Sequence, residues 1–296
     1  MKRLPESAIG YLLIAPAFAI IVGLMLYPAV QTVWLSLHKV DLARMSHTTF
    51  VGLSNYAHIF GESWPSFLGD ILPVTLYFVG ASVVLQLVLG LGLAMLVNQE
   101  WLRGKEFFRA TFIIPWVTSA IIIAFSWRFI YEPRLGILNY LLRGLGMANP
   151  PSWLNDPNLV MPCLIAANVW RGTAFSFIMQ TAGLQSLPTE IFEAAHVDGA
   201  GAWQRFRYIT LPLIQPFVVL NLILISMYTM NVFDVIYAMT NGGPLYKTEV
   251  ISLYMYHDAF DFGHMGLGAA VAVLILALNL ILTTIYMRLS SGRERG

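Results

Sequence analysis

Six stretches of this chain lack the charged residues that punctuate an ordinary soluble sequence. No Asp, Glu, Lys or Arg occurs from Ser7 to His38, Ile71 to Gln99, Ala110 to Trp127, Tyr208 to Phe233 or Gly263 to Met287. The remaining stretch, Leu159 to Gln185, is interrupted once, by Arg171. Each supplies the roughly 20 apolar residues that a helix needs to cross a bilayer. The pattern predicts an all-α integral membrane protein with six transmembrane helices, spanning roughly 9–35, 71–97, 110–131, 158–185, 212–237 and 264–287. Composition points the same way, with 57% apolar and 11% charged residues. A soluble chain carries about 45–50% and about 25%. Loops are short to medium, and no linker or low-complexity tract marks a second domain, so residues 1–296 are expected to form one membrane domain.

The basic residues orient the helices. With the N-terminus inside, Lys2, Arg3, Arg103, Lys105, Arg109, Arg205, Arg207, Arg288, Arg293 and Arg295 fall on the cytoplasmic side. Lys39, Arg44, Arg134, Arg143 and Lys247 fall outside, and Arg128 and Arg171 lie within spans. Ten against five favours cytoplasmic N- and C-termini. Trp34, Trp101, Trp127 and Trp153 lie near span ends, where indole rings prefer the headgroup region. Lys2-Arg3 and Ala17-Phe18-Ala19 resemble a cleaved leader, but the apolar run continues well past that point, so it is expected to be a retained helix.

Charge and motif content exclude several functions. The formal net charge is +1 with no basic run, which argues against nucleic acid as a partner. Cys163 is the single cysteine, so no internal disulfide can form. No G-x-x-x-x-G-K-[ST] loop, H-E-x-x-H or G-x-S-x-G occurs, and the six histidines form no i, i+4 ligand pairs. His257, Asp258 and Asp261 are read as a polar external loop before the last span, and no metal site is expected. An enzyme is disfavoured. Transport by this chain must draw its energy from a partner or an ion gradient.

The most informative segment is the cytoplasmic loop between spans four and five, 186–212: SLPTEIFEAAHVDGAGAWQRFRYITLP. Pro188 suits the first turn of a helix and Gly199 its end. Ile191, Ala194, Ala195 and Asp198 then share one face, and a second short helix is expected over Ala202–Tyr208. Small alanines beside Glu190 and Glu193 suit a protein partner. A helix lying on the membrane would carry Lys and Arg instead.

Glu193-Ala194-Ala195, three residues, Gly199, nine residues, Ile209, one residue and Leu211-Pro212 resemble in full the loop motif of permease subunits of binding-protein-dependent ABC importers. Phe50-Val51-Gly52-Leu53 with Asn55-Tyr56, Leu184-Gln185-Ser186-Leu187-Pro188, and Asn241-Gly242-Gly243-Pro244 with Thr248, Tyr256 and Phe260 are similar to segments of its sugar-permease branch, of maltose-transporter type. Leu187 stands where that branch often has Ile, and Thr240-Asn241 where it often has Thr-Gly.

The resemblance covers nearly all of residues 10–287 and implies a type I ABC importer permease fold. It implies that Glu193, Ala194, Ala195, Asp198 and Gly199 belong to a coupling helix seated in a groove of the ATPase. The implied partners are a second homologous permease, two ATPase subunits holding ATP and Mg, an extracytoplasmic sugar-binding protein and membrane lipid. No cofactor would be bound by this chain. The implied location is the cytoplasmic (inner) membrane of a bacterium or archaeon.

Polar residues within spans mark candidate cargo contacts. Arg128 lies near a span end and can snorkel. Arg171 lies deep in span four, with Asp234 as its candidate partner, either as a structural ion pair or as a cargo contact. A sugar needs hydrogen-bond partners and an apolar or aromatic face. Asn168 and Gly172 lie one turn apart in span four, and Ser226, Tyr228, Thr229 and Asn231 cluster in span five. The resemblance places sugar contacts at Asn168, Gly172, Tyr228 and Thr229, with Asn231 nearby, and helix–helix hydrogen bonding is the competing role. The expected function is import of a sugar or related polyol. An ion-coupled secondary transporter is the alternative, which the loop motif would leave without a purpose; a membrane enzyme lacks a plausible acid/base pair.

Overall fold

The computed structural model describes residues 6–44, 47–61, 65–99 and 101–291. Lys2, Arg3, Arg293 and Arg295, used above to orient the termini, lie outside the described residues. The chain is mostly helical. Helix α1 (Glu6–Ile21) passes through a π-helical turn, Val22–Leu26, into α2 (Tyr27–Ser36). A short hairpin of β1 (His38–Lys39) and β2 (Thr49–Phe50) precedes α3 (Ser54–Ile59). A second π turn, Phe67–Ile71, opens α4 (Leu72–Val97). Then come α5 (Lys105–Val117), α6 (Ala120–Ile130), α7 (Ile137–Gly144) and α8 (Val160–Gln185). The loop after α8 holds α9 (Thr189–Val197), α10 (Ala202–Arg205) and α11 (Leu211–Leu213), and α12 (Gln215–Met230) follows. The chain closes with α13 (Asp234–Met239), α14 (Ile251–Tyr256) and α15 (Met265–Ser291).

Two compact units divide these elements: Met1–Ser66 with Tyr254–Leu276, and Phe67–Leu253 with Ala277–Gly296. In the first, every described side chain from Leu13 to Gln31 is exposed although the segment is almost wholly apolar. Such a helix is stable where lipid or another apolar surface solvates it. The hairpin after α2 pairs His38 with Phe50. The Asn55-Tyr56 pair singled out in the sequence clasps the end of α2: Asn55 Nδ2 donates to Ser36 O at 2.8 Å and His38 O at 3.0 Å, and Tyr56 Oη donates to Ser36 Oγ at 2.8 Å. The first of these bonds satisfies a carbonyl that the last turn of α2 leaves orphaned.

The second unit is built on α4 and α8, the most extensive helix pairing in the chain, with α5 against α8 and α12 against both. A side chain at Gly90 would overlap Ser176, so small residues on both helices permit this close approach. Below that crossing, Ala94 and Val97 of α4, Phe177 and Leu184 of α8, and Ile214 at the start of α12 form a buried apolar cluster. Phe112 of α5 packs against it, edge-on to Phe177 at 5.4 Å between centroids.

Among the described residues, three helical stretches are long and apolar enough to cross a membrane: Leu13–Ser36, Phe67–Val97 and Met265–Arg288. Two more arise if each bent pair is one span. The expected span at 110–131 is such a pair: α5 and α6 meet at 97°. Thr118 and Ser119 take extended backbone between them, just after Pro115 has removed one backbone donor. The expected span at 212–237 also departs from a single helix. It bends by 67° where α11 meets α12, ends at Met230, and resumes as α13 after Asn231–Phe233. Helix α8, at 26 residues, has the length to span but carries polar residues along much of its course.

Candidate functional site

A cavity of about 790 Å³ opens where α4, α8 and α12 converge with α5 and the start of α13. It contains most of the span residues named as candidate cargo contacts: Asn168, Arg171 and Gly172 from α8, Tyr228 and Thr229 from α12, and Asn231 and Asp234 just beyond. Ser226 lies outside the lining, its Oγ 3.1 Å from Tyr286 Oη. Helical spacing explains the α8 contribution, because residues 168, 171 and 172 share one face. Asn168 and Thr229 are buried, at 4% and 3% exposure, whereas Tyr228 is 61% exposed.

The chemistry of the wall is mixed. Asn168 Nδ2 has no hydrogen-bond partner among the described residues, which leaves an unpaired buried donor on a residue of the wall. Asn231 is spent differently: its Nδ2 donates to Met227 O at 2.8 Å, capping the last turn of α12. Arg171 Nη1 lies 3.6 Å from Asp234 Oδ1, so these two charges of the cavity wall pair with each other. Both remain partly exposed, at 29% and 41%, so the pair faces the lumen of the cavity rather than a dry core.

Sequence reasoning passed over several wall residues, among them Trp116, Phe175 and Gln86. Trp116 of α5 lies 5.9 Å from Phe175 of α8, and Phe175 lies 5.6 Å edge-on from Tyr228, giving a run of aromatic faces. Gln86 of α4 reaches across to α8, where its Nε2 donates to Asn168 O at 3.4 Å. Gln86 is 2% exposed and the one amide side chain between Leu72 and Val97, which is the signal that finds it.

The loop after α8 folds as the sequence predicts in its first half. Pro188 is extended and caps α9, and Asp198 ends it. Gly199 then takes φ +75, its N–H bonds His196 O at 3.1 Å, and the Ala200 N–H bonds Ala195 O at 2.9 Å. This pair of reversed bonds is the Schellman ending, which requires a residue at positive φ. Glu193, Ala194 and Asp198 are exposed, but Ala195 is buried within the chain at 7%. The two alanines therefore face different surroundings. The second helix is shorter than expected: α10 stops at Arg205 and a π turn, Phe206–Thr210, carries the chain to α11. Gln204 Oε1 accepts from the Gly201 N–H at 2.8 Å, and Arg205 Nη1 lies 3.4 Å from His196 Nδ1, tying α10 to α9.

One rigid element joins the two sites. From Asn168 to Gln185, α8 runs roughly 26 Å at 1.5 Å per residue, and α9 follows three residues later. A cavity of mixed polar and aromatic wall inside an apolar helical bundle, joined by one continuous helix to an exposed loop bearing Glu190 and Glu193, has the character of a multi-pass membrane permease. The chain belongs to the family described as the binding-protein-dependent transport system inner membrane component, which matches residues 86–295 and so includes both the cavity and the loop.

Among its relatives is a trehalose/maltose transport system permease protein of Thermococcus litoralis, 36% identical over 98% of this chain and 96% of that protein. A sulfoquinovosyl glycerol transport system permease protein of Agrobacterium fabrum is 33% identical over 98% of this chain and 93% of that protein. The fold is similar to that of a bacterial ABC transporter involved in the import of the acidic polysaccharide alginate. The TM-score is 0.82 at 23% identity, over 97% of this chain and 96% of that one.

Proposed function

We propose that this chain is one of two homologous permease subunits of an ATP-driven importer, in the inner membrane of a bacterium or archaeon, for a neutral sugar or polyol. Cargo would be delivered by an extracytoplasmic binding protein. The observation that carries this reading is the cavity wall. Amides at Gln86 and Asn168, the Thr229 hydroxyl and the aromatic faces of Trp116, Phe175 and Tyr228 suit hydroxyl groups and the apolar face of a sugar ring. Its two charges neutralise each other through the Arg171–Asp234 pair, which favours uncharged cargo over an anion.

In this reading six spans, made by α1–α2, α4, α5–α6, α8, α11–α12 and α15, leave both termini and the α9 loop in the cytoplasm. Two partner ATPase subunits bind ATP and Mg, and this chain binds neither. The exposed Glu193 and Ala194, with Asp198 at the helix end, dock α9 to one ATPase, while Ala195, buried, and Gly199, at positive φ, hold its shape. ATP binding draws the two ATPases together and moves α9. The rigid α8 transmits that movement to the wall carrying Asn168 and Gly172. The cavity then faces outward to receive cargo, and hydrolysis returns it inward. This is a two-state element biased by differential ligand affinity.

The test is reconstitution of the purified complex in proteoliposomes with its binding protein. The reading requires ATP-dependent uptake of a neutral sugar. Uptake driven by a proton or sodium gradient without ATPase subunits would instead support an ion-coupled transporter using the Arg171–Asp234 pair. Orientation has its own check in sealed cells: an impermeant maleimide should label Lys247→Cys and spare Val197→Cys, both exposed positions.

A further inference from the structure

The resemblance implies a sugar contact at Gly172. The space beside Gly172 is already filled. A Cβ built there would overlap Oε1 and Cδ of Gln86 and lie 2.7 Å from its Nε2. The missing side chain therefore seats the Gln86 amide against α8.

We propose that Gln86 is a specificity-determining residue of the permease, reading cargo hydroxyls together with Asn168, and that Gly172 acts by holding its amide in place. This rests on the sugar-import reading and deepens it. One N–H of Gln86 is engaged by Asn168 O at 3.4 Å. Its second N–H and its Oε1 make no hydrogen bond among the described residues, and Asn168 Nδ2 is likewise unpartnered. Both side chains line the same cavity and both are more than nine-tenths buried. Two adjacent amides thus offer donors and an acceptor at one point of the wall. A sugar hydroxyl both donates and accepts, so it can satisfy them together. A buried polar group left unpaired penalises cargo lacking the matching hydroxyl, which makes such a site selective. Gln86 comes from α4 and Asn168 from α8, so the spacing of these helices sets the spacing of the two amides.

The experiment uses the complete importer with its binding protein in proteoliposomes, with radiolabelled trehalose, maltose and glycerol as probes. Gln86→Met keeps the packing and removes the hydrogen bonds. It should reduce uptake of the preferred probe about three- to tenfold and change the ratio between probes, with the amount of assembled complex maintained. Gly172→Ala alone should be comparably harmful, because the methyl group evicts the amide. In a Gln86→Ala background the same methyl group has room, so Gly172→Ala should add little, a non-additivity expected of residues in contact. Two results would overturn the proposal while leaving sugar import intact: Gln86→Met keeping the wild-type probe ratio, or Gly172→Ala adding its full effect to Gln86→Ala. A wild-type complex that imports none of the probes would remove the sugar reading and this proposal with it.

Discussion

The cavity wall and the cytoplasmic loop are joined by α8, yet they are built on opposite principles. The loop is local: its helix, cap and turn are encoded within residues 188–201, and its charged side chains face outward. The wall is non-local: Gln86 touches the backbone of Asn168, 82 positions away. Arg171 finds its counter-charge at Asp234 on another helix. The surface proposed to dock a second protein is written in one short segment. A site meant to enclose a small molecule needs several helices and tolerates buried polar groups that a soluble core would avoid.

The largest expected effects lie in the loop. Glu193→Ala should lower cargo uptake roughly tenfold or more, the scale of losing an interface hot spot of about 2 kcal/mol. The chain should still insert, and uptake and binding-protein-stimulated ATP hydrolysis should separate. Normal values of both would remove Glu193 from the docking surface. Gly199→Val should be of similar severity, because a β-branched residue held at φ +75 costs on the order of 1–3 kcal/mol and unwinds the end of α9.

A smaller and different effect is expected in the wall. Arg171→Ala leaves Asp234 without its partner, which should reduce the assembled complex more than it changes affinity for cargo. The double variant Arg171→Ala/Asp234→Ala should recover part of that loss, measured by detergent-stable complex yield. If yield falls further in the double variant, each charge has an independent role. Asn168→Ala and Thr229→Ala should each weaken uptake about three- to tenfold, the scale of a net hydrogen bond of about 0.5–1.5 kcal/mol. Unchanged kinetics with falling protein levels would show that they hold helices together instead.

The smallest effect concerns the segment after α6. The backbone N–H of Leu135 holds the Glu132 carboxylate below its usual range, joined by those of Arg134, at 2.7 Å, and Gly136, and desolvation opposes them only partly. A depressed carboxylate pKa contributes order that is present above its unfolded value and lost as pH falls through its folded value. Acidification should therefore loosen this segment, read as faster amide exchange at Leu135. Glu132→Gln should remove most of the pH dependence.

Much of this division was legible before any coordinates. Charge-free stretches revealed the membrane character, because a bilayer excludes charge wherever the chain runs. The loop motif predicted α9 and its glycine stop, because a helix end depends on residues within one turn of it. The bends were harder to see. Composition alone cannot distinguish one straight span from α5 and α6 meeting at 97°, since Thr118 and Ser119 are compatible with either. The neighbour of Gly172 was hidden for a related reason. A glycine announces that something comes close, and only packing says that the visitor is the Gln86 amide.

By itself, then, the chain determined which segments prefer lipid, where α9 starts and stops, and which polar residues α8 presents on one face. These are properties of residues and their near neighbours. The tertiary structure alone decided that Gln86 and Trp116 join the wall, that Ala195 is buried while Ala194 is not, and that Arg171 meets Asp234. Each of those outcomes depends on how far and at what angle one helix passes another, a quantity set by the sum of many weak packing contacts and carried by no single residue.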